Sequence, residues 1–89
     1  MPKVVIPPPY RGPTAGAASL EVEGSTVGAC LRAVERTHPG FLTQVCGADG
    51  EVHRFVRVFR NGEQLEGEVL EAPVSEGDEI EILAAIAGG

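Results

Sequence analysis

The chain has few cysteines, few histidines and few basic residues, and each shortage excludes a class of function. Its 89 residues include only Cys30 and Cys46, too few for the disulfide framework of a small secreted domain. In a reducing cytosol we expect both to be buried as small hydrophobes. Seven Lys and Arg against 13 Asp and Glu give a net charge of −6, whereas phosphate binding requires clustered cations. We therefore expect no nucleic-acid partner and an acidic protein that is steered towards basic surfaces.

Long apolar runs are also missing. Because no run reaches the 18 apolar residues of a membrane-spanning helix, we expect no membrane partner. The N-terminus carries one Lys, a short apolar run and three prolines, which is not the layout of a signal peptide. We expect a cytoplasmic protein with a single small domain, since this length supports only one core.

No constellation of catalytic or metal-binding residues is legible. His38 and His53 are the only histidines, and no Cys/His cluster has metal-ligand spacing, so we expect no metal site and no bound cofactor. The carboxylates are spread over turns without a nucleophile and base beside them, so we expect no enzymatic activity. Cys46 also lacks an activating neighbour. It lies in a Gly-rich loop, but nothing nearby in the sequence would lower its pKa.

The first half of the chain predicts two strands and a helix. An apolar run at residues 3–6 ends at three prolines, and residues 19–23 alternate between polar and apolar after a loop at residues 10–18. Ser25 and Thr26 offer an N-cap for a helix that Pro39 and Gly40 stop. Residues 41–45 predict a short turn that covers the core. The apolar face of the helix has the i, i+3, i+4, i+7 spacing of Val27, Cys30, Leu31 and Val34.

The second half predicts further strands joined by tight turns. Residues 55–60 form the clearest strand, and Asn61-Gly62 after it is a strong turn signal because both residues tolerate positive φ. A second turn at residues 75–78 leads into a strand at residues 79–84. The order predicts an α+β fold, a mixed sheet of four to five strands with one helix packed across it. We expect the last strand to lie centrally, parallel to the first.

The C-terminal residues Gly88 and Gly89 follow this strand directly. Glycine has no side chain and an almost unrestricted backbone, so such a tail can enter a narrow channel and present its carboxylate to an enzyme. A frayed terminus is the other interpretation, since chain ends are commonly disordered. We predict a domain of residues 1–84 and a flexible tail of residues 85–89.

Taken together, these features resemble the MoaD/ThiS family of ubiquitin-like sulfur carriers, and in particular its CysO type. The residues that carry the resemblance are 53–56, Asn61, 77–78, 82–83 and 85–89. The resemblance implies a β-grasp fold. It also implies that an E1-like enzyme adenylates the Gly89 carboxylate with ATP, and that a sulfur donor then replaces AMP to leave a thiocarboxylate.

The resemblance also implies partners. In the CysO type the acceptor of sulfur is an activated serine on a PLP-dependent cysteine synthase, and a metal-dependent peptidase then frees the cysteine. Other branches of the family deliver sulfur to a pterin, a thiazole precursor, a tRNA base or a secondary metabolite. The family further suggests a monomer when the protein is alone.

Strand alternation predicts a partner-binding surface on the side of the sheet away from the helix. Phe59 and Leu83 are expected on this side, with Ile86 and Ala87 farther along the tail and Arg57 beside them. We also expect Arg60 to flank it. Ubiquitin-like proteins carry their hydrophobic contact patch here; scattered surface apolar residues are the alternative.

Three function classes remain open from sequence. The first is a sulfur carrier that serves as a cosubstrate, and the second is a ubiquitin-like modifier joined through Gly89 to lysines of target proteins. The third is a β-grasp interaction module with an inert tail, for which loss of Gly88 and Gly89 would change nothing.

Overall fold

The computed structural model describes residues 1–6 and 18–84. Most of the predicted loop at residues 10–18 and all of the predicted tail at residues 85–89 lie outside the described residues. The elements are β1 Lys3–Val5, β2 Ser19–Glu21, α1 Val27–Thr37, α2 Phe41–Val45, β3 Val56–Arg60, β4 Glu63–Gln64, a short 3-10 helix Val69–Glu71 and β5 Glu79–Ala84. None of the helices in these two ranges is long and apolar enough to span a bilayer.

The strands form one mixed sheet in the order β2-β1-β5-β3-β4. The last strand, β5, lies at the centre, parallel to β1 and antiparallel to β3. The predicted central position and parallel pairing of the last strand are confirmed. A parallel pair requires a long crossover, and the chain between β1 and β5 supplies it.

The core lies between the sheet and α1. Alternate residues of the central strands point to this side, and Val58, Ile80 and Ile82 are almost completely buried. The apolar stripe predicted for the helix faces them, and Val27, Cys30, Leu31 and Val34 have no exposed surface. Side chains of opposite parity therefore lie on the other side of the sheet, which we call the outer face.

Helix α1 begins and ends where its sequence predicts. The Thr26 hydroxyl accepts a 3.1 Å hydrogen bond from the Ala29 N–H, which satisfies one of the free donors of the first turn. Gly28 allows this turn to approach the 3-10 helix, because a Cβ there would lie 3.0 Å from the Leu70 carbonyl oxygen. The helix ends at Thr37, and the His38 N–H donates to the Val34 carbonyl at 2.8 Å.

The turn predicted at residues 41–45 is a one-turn helix, α2. Phe41 and Val45 have no exposed surface, so the predicted cover over the core is confirmed. The Glu35 carboxylate of α1 accepts hydrogen bonds from the Gly40 N–H at 3.2 Å and the Leu42 N–H at 2.7 Å. These bonds replace the side-chain cap that Gly40 cannot supply, and they attach α2 to α1.

The two predicted turns meet at one end of the sheet. Asn61 and Gly62 both have positive φ, 52° and 85°, as the Asn-Gly signal predicts. In the second turn Gly77 has φ 81°, and the Asp78 N–H donates to the Ser75 carbonyl at 3.1 Å. Both turns therefore use the residues that tolerate a left-handed backbone.

Candidate functional site

The outer face carries a patch on the three central strands. Its members share the parity opposite to the core residues, and we call them the outer-face patch: Val5, Arg57, Phe59, Glu81 and Leu83. In the strand register, Val5 lies beside Glu81, Glu81 lies opposite Phe59, and Leu83 lies opposite Arg57. The patch therefore spans from β1 to β3 near the end of β5 from which residues 85–89 follow.

Phe59 and Leu83 are the apolar centre of this patch. They are diagonal neighbours across β3 and β5, a spacing within reach of an aromatic ring. Leu83 is 38% exposed and Phe59 is half-buried. The structure places both on the outer face, as alternation predicts, while their binding of a partner stays a prediction.

The two predicted flanking arginines lie on opposite sides of the sheet. Arg57 belongs to the outer face, and its guanidinium donates to the Arg54 carbonyl at 2.6 Å and the Val56 carbonyl at 3.4 Å. Arg60 lies opposite Ile80, which points into the core, and it donates to the Pro73 carbonyl at 2.6 Å. The flanking position predicted for Arg60 is therefore wrong, because three steps along a strand reverse the face.

Two members of the patch were not predicted from sequence. Val5 alternates with the buried Val4, and Glu81 alternates with the buried Ile80 and Ile82. Applying the same alternation to these residues, together with the expected parallel pairing, would have placed them here. Both are half-buried.

An exposed aromatic side chain lies close to the patch. Phe55 is 54% exposed, and the Arg54 guanidinium carbon lies 5.8 Å from the centre of its ring, within cation–π range. The next residue, Val56, pairs with Ala84 at the end of β5. Phe55 is therefore near the point from which the tail begins, a position that the sequence interpretation did not assign to a site.

The remaining predicted site residues lie outside the described residues. These are Gly89 and Gly88, expected to carry the reactive carboxylate, and Ile86 and Ala87, expected to contact a partner. What the structure describes is the strand before them: β5 pairs with β1 at residues 79–81 and with β3 at residues 80–84. Residues 85–89 therefore follow directly from the central strand of the sheet.

The helical side of the molecule has a shallow groove of about 350 Å³ between α1, α2 and the loop that follows α2. Leu31, Leu42 and Leu70 contribute its apolar lining, and Cys46 also lines it. Burial, followed by the nearby Glu51 and Asp49 carboxylates, raises the pKa of the Cys46 thiol. Burial also raises the pKa of Cys30. Both are free and buried, which favours the packing role over a reactive one.

The fold defines the class of protein. A mixed five-stranded sheet with a helix across one side is the β-grasp fold of ubiquitin-like proteins. A chain in the crystal structure of the Amycolatopsis orientalis BexX/CysO complex superposes on this one with a TM-score of 0.91, at 37% identity and with complete coverage of both chains.

The ThiS family model matches residues 11–89, and the chain belongs to the ThiS family. It is 33% identical to the sulfur carrier protein CysO of Mycobacterium tuberculosis, over 97% of this chain and 96% of that protein. It is 35% identical to small archaeal modifier protein 1 of Haloferax volcanii, over 79% of this chain and 78% of that protein. The family and the β-grasp fold predicted from the sequence are confirmed.

Proposed function

We propose that this chain is a sulfur carrier, a protein cosubstrate rather than an enzyme. The observation that carries the proposal is the end-to-end likeness to CysO, which covers 100% of this chain in the BexX/CysO complex and so includes residues 85–89. The ThiS family model also matches as far as residue 89. The likeness to CysO, a protein named as a sulfur carrier, supports the proposal that Gly89 carries the sulfur here.

In the first step, an E1-like enzyme activates the Gly89 carboxylate. A carboxylate is a poor electrophile, because its negative charge is shared by two oxygens. One of these oxygens attacks the α-phosphorus of ATP, pyrophosphate leaves, and an acyl adenylate forms. The ATP belongs to the partner enzyme, and the chain contributes only the carboxylate.

In the second step, sulfur replaces AMP. A hydrosulfide adds to the acyl carbon, the C–O bond to AMP breaks, and Gly89 is left as a thiocarboxylate. The acceptor that we propose is an activated serine on a PLP-dependent cysteine synthase, with a metal-dependent peptidase to release the product, as the likeness to CysO favours. The chain itself keeps the sulfur bound to a protein until the acceptor is present.

The two terminal glycines suit this chemistry. A channel that closes around a backbone without side chains can hold the tail tightly and exclude water. A Cβ on Gly89 would crowd the carbon that is attacked, so Gly89→Ala and a chain with one added C-terminal residue should both lose adenylation. Unfolding should be unaffected, because β5 and the core end before this residue.

ATP–pyrophosphate exchange with the E1-like enzyme of the same cell tests the proposal. We expect exchange with the unmodified chain and none with either variant, at an unchanged melting temperature. A chain that lacks Gly88 and Gly89 serves as the negative control. Normal exchange with Gly89→Ala or with the extended chain would refute the role of the terminus.

A second function is favoured by one relative, small archaeal modifier protein 1, whose name describes a modifier. The same adenylated terminus would then react with a lysine amine of a target protein to form an isopeptide. Covalent adducts that survive reducing gels and depend on Gly89 would support this function. If removal of Gly88 and Gly89 changes neither sulfur transfer nor adduct formation, the chain is an interaction module only.

A further inference from the structure

The outer-face patch contains a carboxylate with no partner among the described residues. Glu81 lies at the middle of β5, half-buried, with Val5 beside it on β1 and Phe59 opposite it on β3. Neither ion pair found within residues 1–6 and 18–84 includes it, and no hydrogen bond there reaches its side chain. An unpaired carboxylate thus lies between two apolar side chains of the neighbouring strands.

The cations nearest in the strand register are engaged elsewhere. Lys3, two residues before Val5, lies with its Nζ 3.3 Å from the Glu79 carboxylate. Arg57, two residues before Phe59, donates to the carbonyl of Arg54 at 2.6 Å. The sheet therefore does not neutralise Glu81, although both cations lie on the same face.

This arrangement restricts what can dock on the outer face. A partner that covers Phe59 and Leu83 must also remove water from Glu81, which lies between Val5 and Phe59. Burying a carboxylate is unfavourable unless a cation or several donors compensate it. An entirely apolar partner surface would therefore be rejected.

We infer that the partner surface that docks on the outer-face patch presents an Arg or Lys side chain to Glu81, with apolar groups around it that contact Phe59 and Leu83. The inference rests on the proposed function, which identifies the partner as the E1-like enzyme. Charge favours a cation over a neutral donor, since the chain carries −6 and the nearest cations, Lys3 and Arg57, are engaged elsewhere. Glu81 would thus determine which partner is accepted.

Two substitutions separate this inference from simple hydrophobic docking. Glu81→Met removes the charge and leaves a flexible apolar side chain of similar length. If the partner is apolar opposite this position, Glu81→Met should strengthen binding, because no carboxylate needs to be desolvated. If the partner presents a cation, both Glu81→Met and Glu81→Gln should weaken binding, about tenfold or more, because the cation is left buried and unpaired.

The experiment is calorimetric binding of each chain to the E1-like enzyme of the same cell, at low and at moderate salt. The unmodified chain should lose affinity with salt more steeply than Glu81→Gln does. The matched control is Glu63→Gln, which removes the same charge from exposed β4, opposite Arg60 and not on the outer-face patch. We expect the control to bind within about twofold of the unmodified chain, and all variants to keep its melting temperature.

The outcomes distinguish this inference from the proposed function. Equal or tighter binding by Glu81→Met would overturn the inference that the partner presents a cation. Equal losses of affinity from Glu81→Gln and Glu63→Gln would also overturn it. Neither result would contradict the proposed sulfur transfer. No binding by the unmodified chain would overturn both. Binding that depends on Glu81, with no thiocarboxylate formed, would keep the docking surface and overturn the sulfur-carrier function.

Discussion

The side-chain amide of Asn61 donates a 3.0 Å hydrogen bond to the carboxylate of Asp78, and this bond joins two turns that are far apart in sequence. The other Asp78 oxygen accepts from the Ser75 N–H at 2.8 Å. The Asn61 side-chain oxygen accepts from the Glu79 N–H at 2.9 Å, so the amide bridges the start of β5. This network sets the register between the end of β3 and the start of β5.

The network predicts acid sensitivity. The hydrogen bonds from Asn61 and then Ser75 lower the pKa of the Asp78 carboxyl below its ordinary value of 3.8. Because the folded-state pKa is the lower one, the stabilisation is complete above the unfolded-state pKa and is lost as the pH falls through the folded-state pKa.

Asp78→Asn should therefore lower the melting temperature at neutral pH, since its amide keeps only one acceptor oxygen and cannot accept from both Asn61 and Ser75. The difference from the unmodified chain should shrink as the pH falls below about 4. Thermal unfolding of both chains over this range measures it. A difference that stays constant down to the most acidic condition would contradict the role of the carboxylate.

The meeting of these two turns illustrates what the sequence could provide. Asn61-Gly62 and Gly77-Asp78 were each identified as turn signals, because backbone conformation is a local property that glycine and asparagine report. Their contact was not predicted, since it depends on β3 and β5 being antiparallel neighbours with one specific register. Local signals thus predicted the elements, and the pairing had to come from the structure.

Truncation of Phe59 should separate binding from folding. Phe59 is half-buried on the outer face, so Phe59→Ala should weaken binding to the E1-like enzyme by about 1–3 kcal/mol with a smaller change in stability. The control is Leu42→Ala, a half-buried apolar residue beside the groove on the helical side. Equal binding by Phe59→Ala and the unmodified chain would contradict the assignment of the docking surface.

The attachment of α2 should be measurable as stability. Glu35→Ala removes the carboxylate that accepts from the Gly40 and Leu42 N–H groups, and we expect a loss of about 1–2 kcal/mol in the free energy of unfolding. Glu35→Gln keeps one acceptor oxygen and should lose less. Urea unfolding measures both, and an unchanged midpoint for Glu35→Ala would refute the contribution of these bonds.

The thiol of Cys46 should be unreactive in the folded protein. It is 8% exposed, and burial together with two nearby carboxylates raises its pKa, so little thiolate forms at neutral pH. A maleimide should label it slowly in the native state and rapidly in urea. A native labelling rate equal to that of a small free thiol would indicate that the loop opens and the thiol is accessible.

The outer-face patch shows the same division between local and long-range information. Phe59, Leu83 and Arg57 could be placed on one face because alternation along a strand is strict. Arg60 was misplaced because it was assigned by closeness in sequence rather than by parity. Glu81 was missed because a charged residue at an alternating position predicts only that its side chain is exposed. Its lack of a partner depends on the contacts that Lys3 and Arg57 make with other groups.

The most direct measurement of the central claim is intact mass spectrometry of the chain after incubation with ATP, sulfide and the E1-like enzyme of the same cell. We predict a mass shift equal to the replacement of one oxygen by sulfur, located in the C-terminal peptide that ends at Gly89 and absent without ATP. An unchanged mass, with an enzyme shown to activate another carrier, would contradict the sulfur-carrier function.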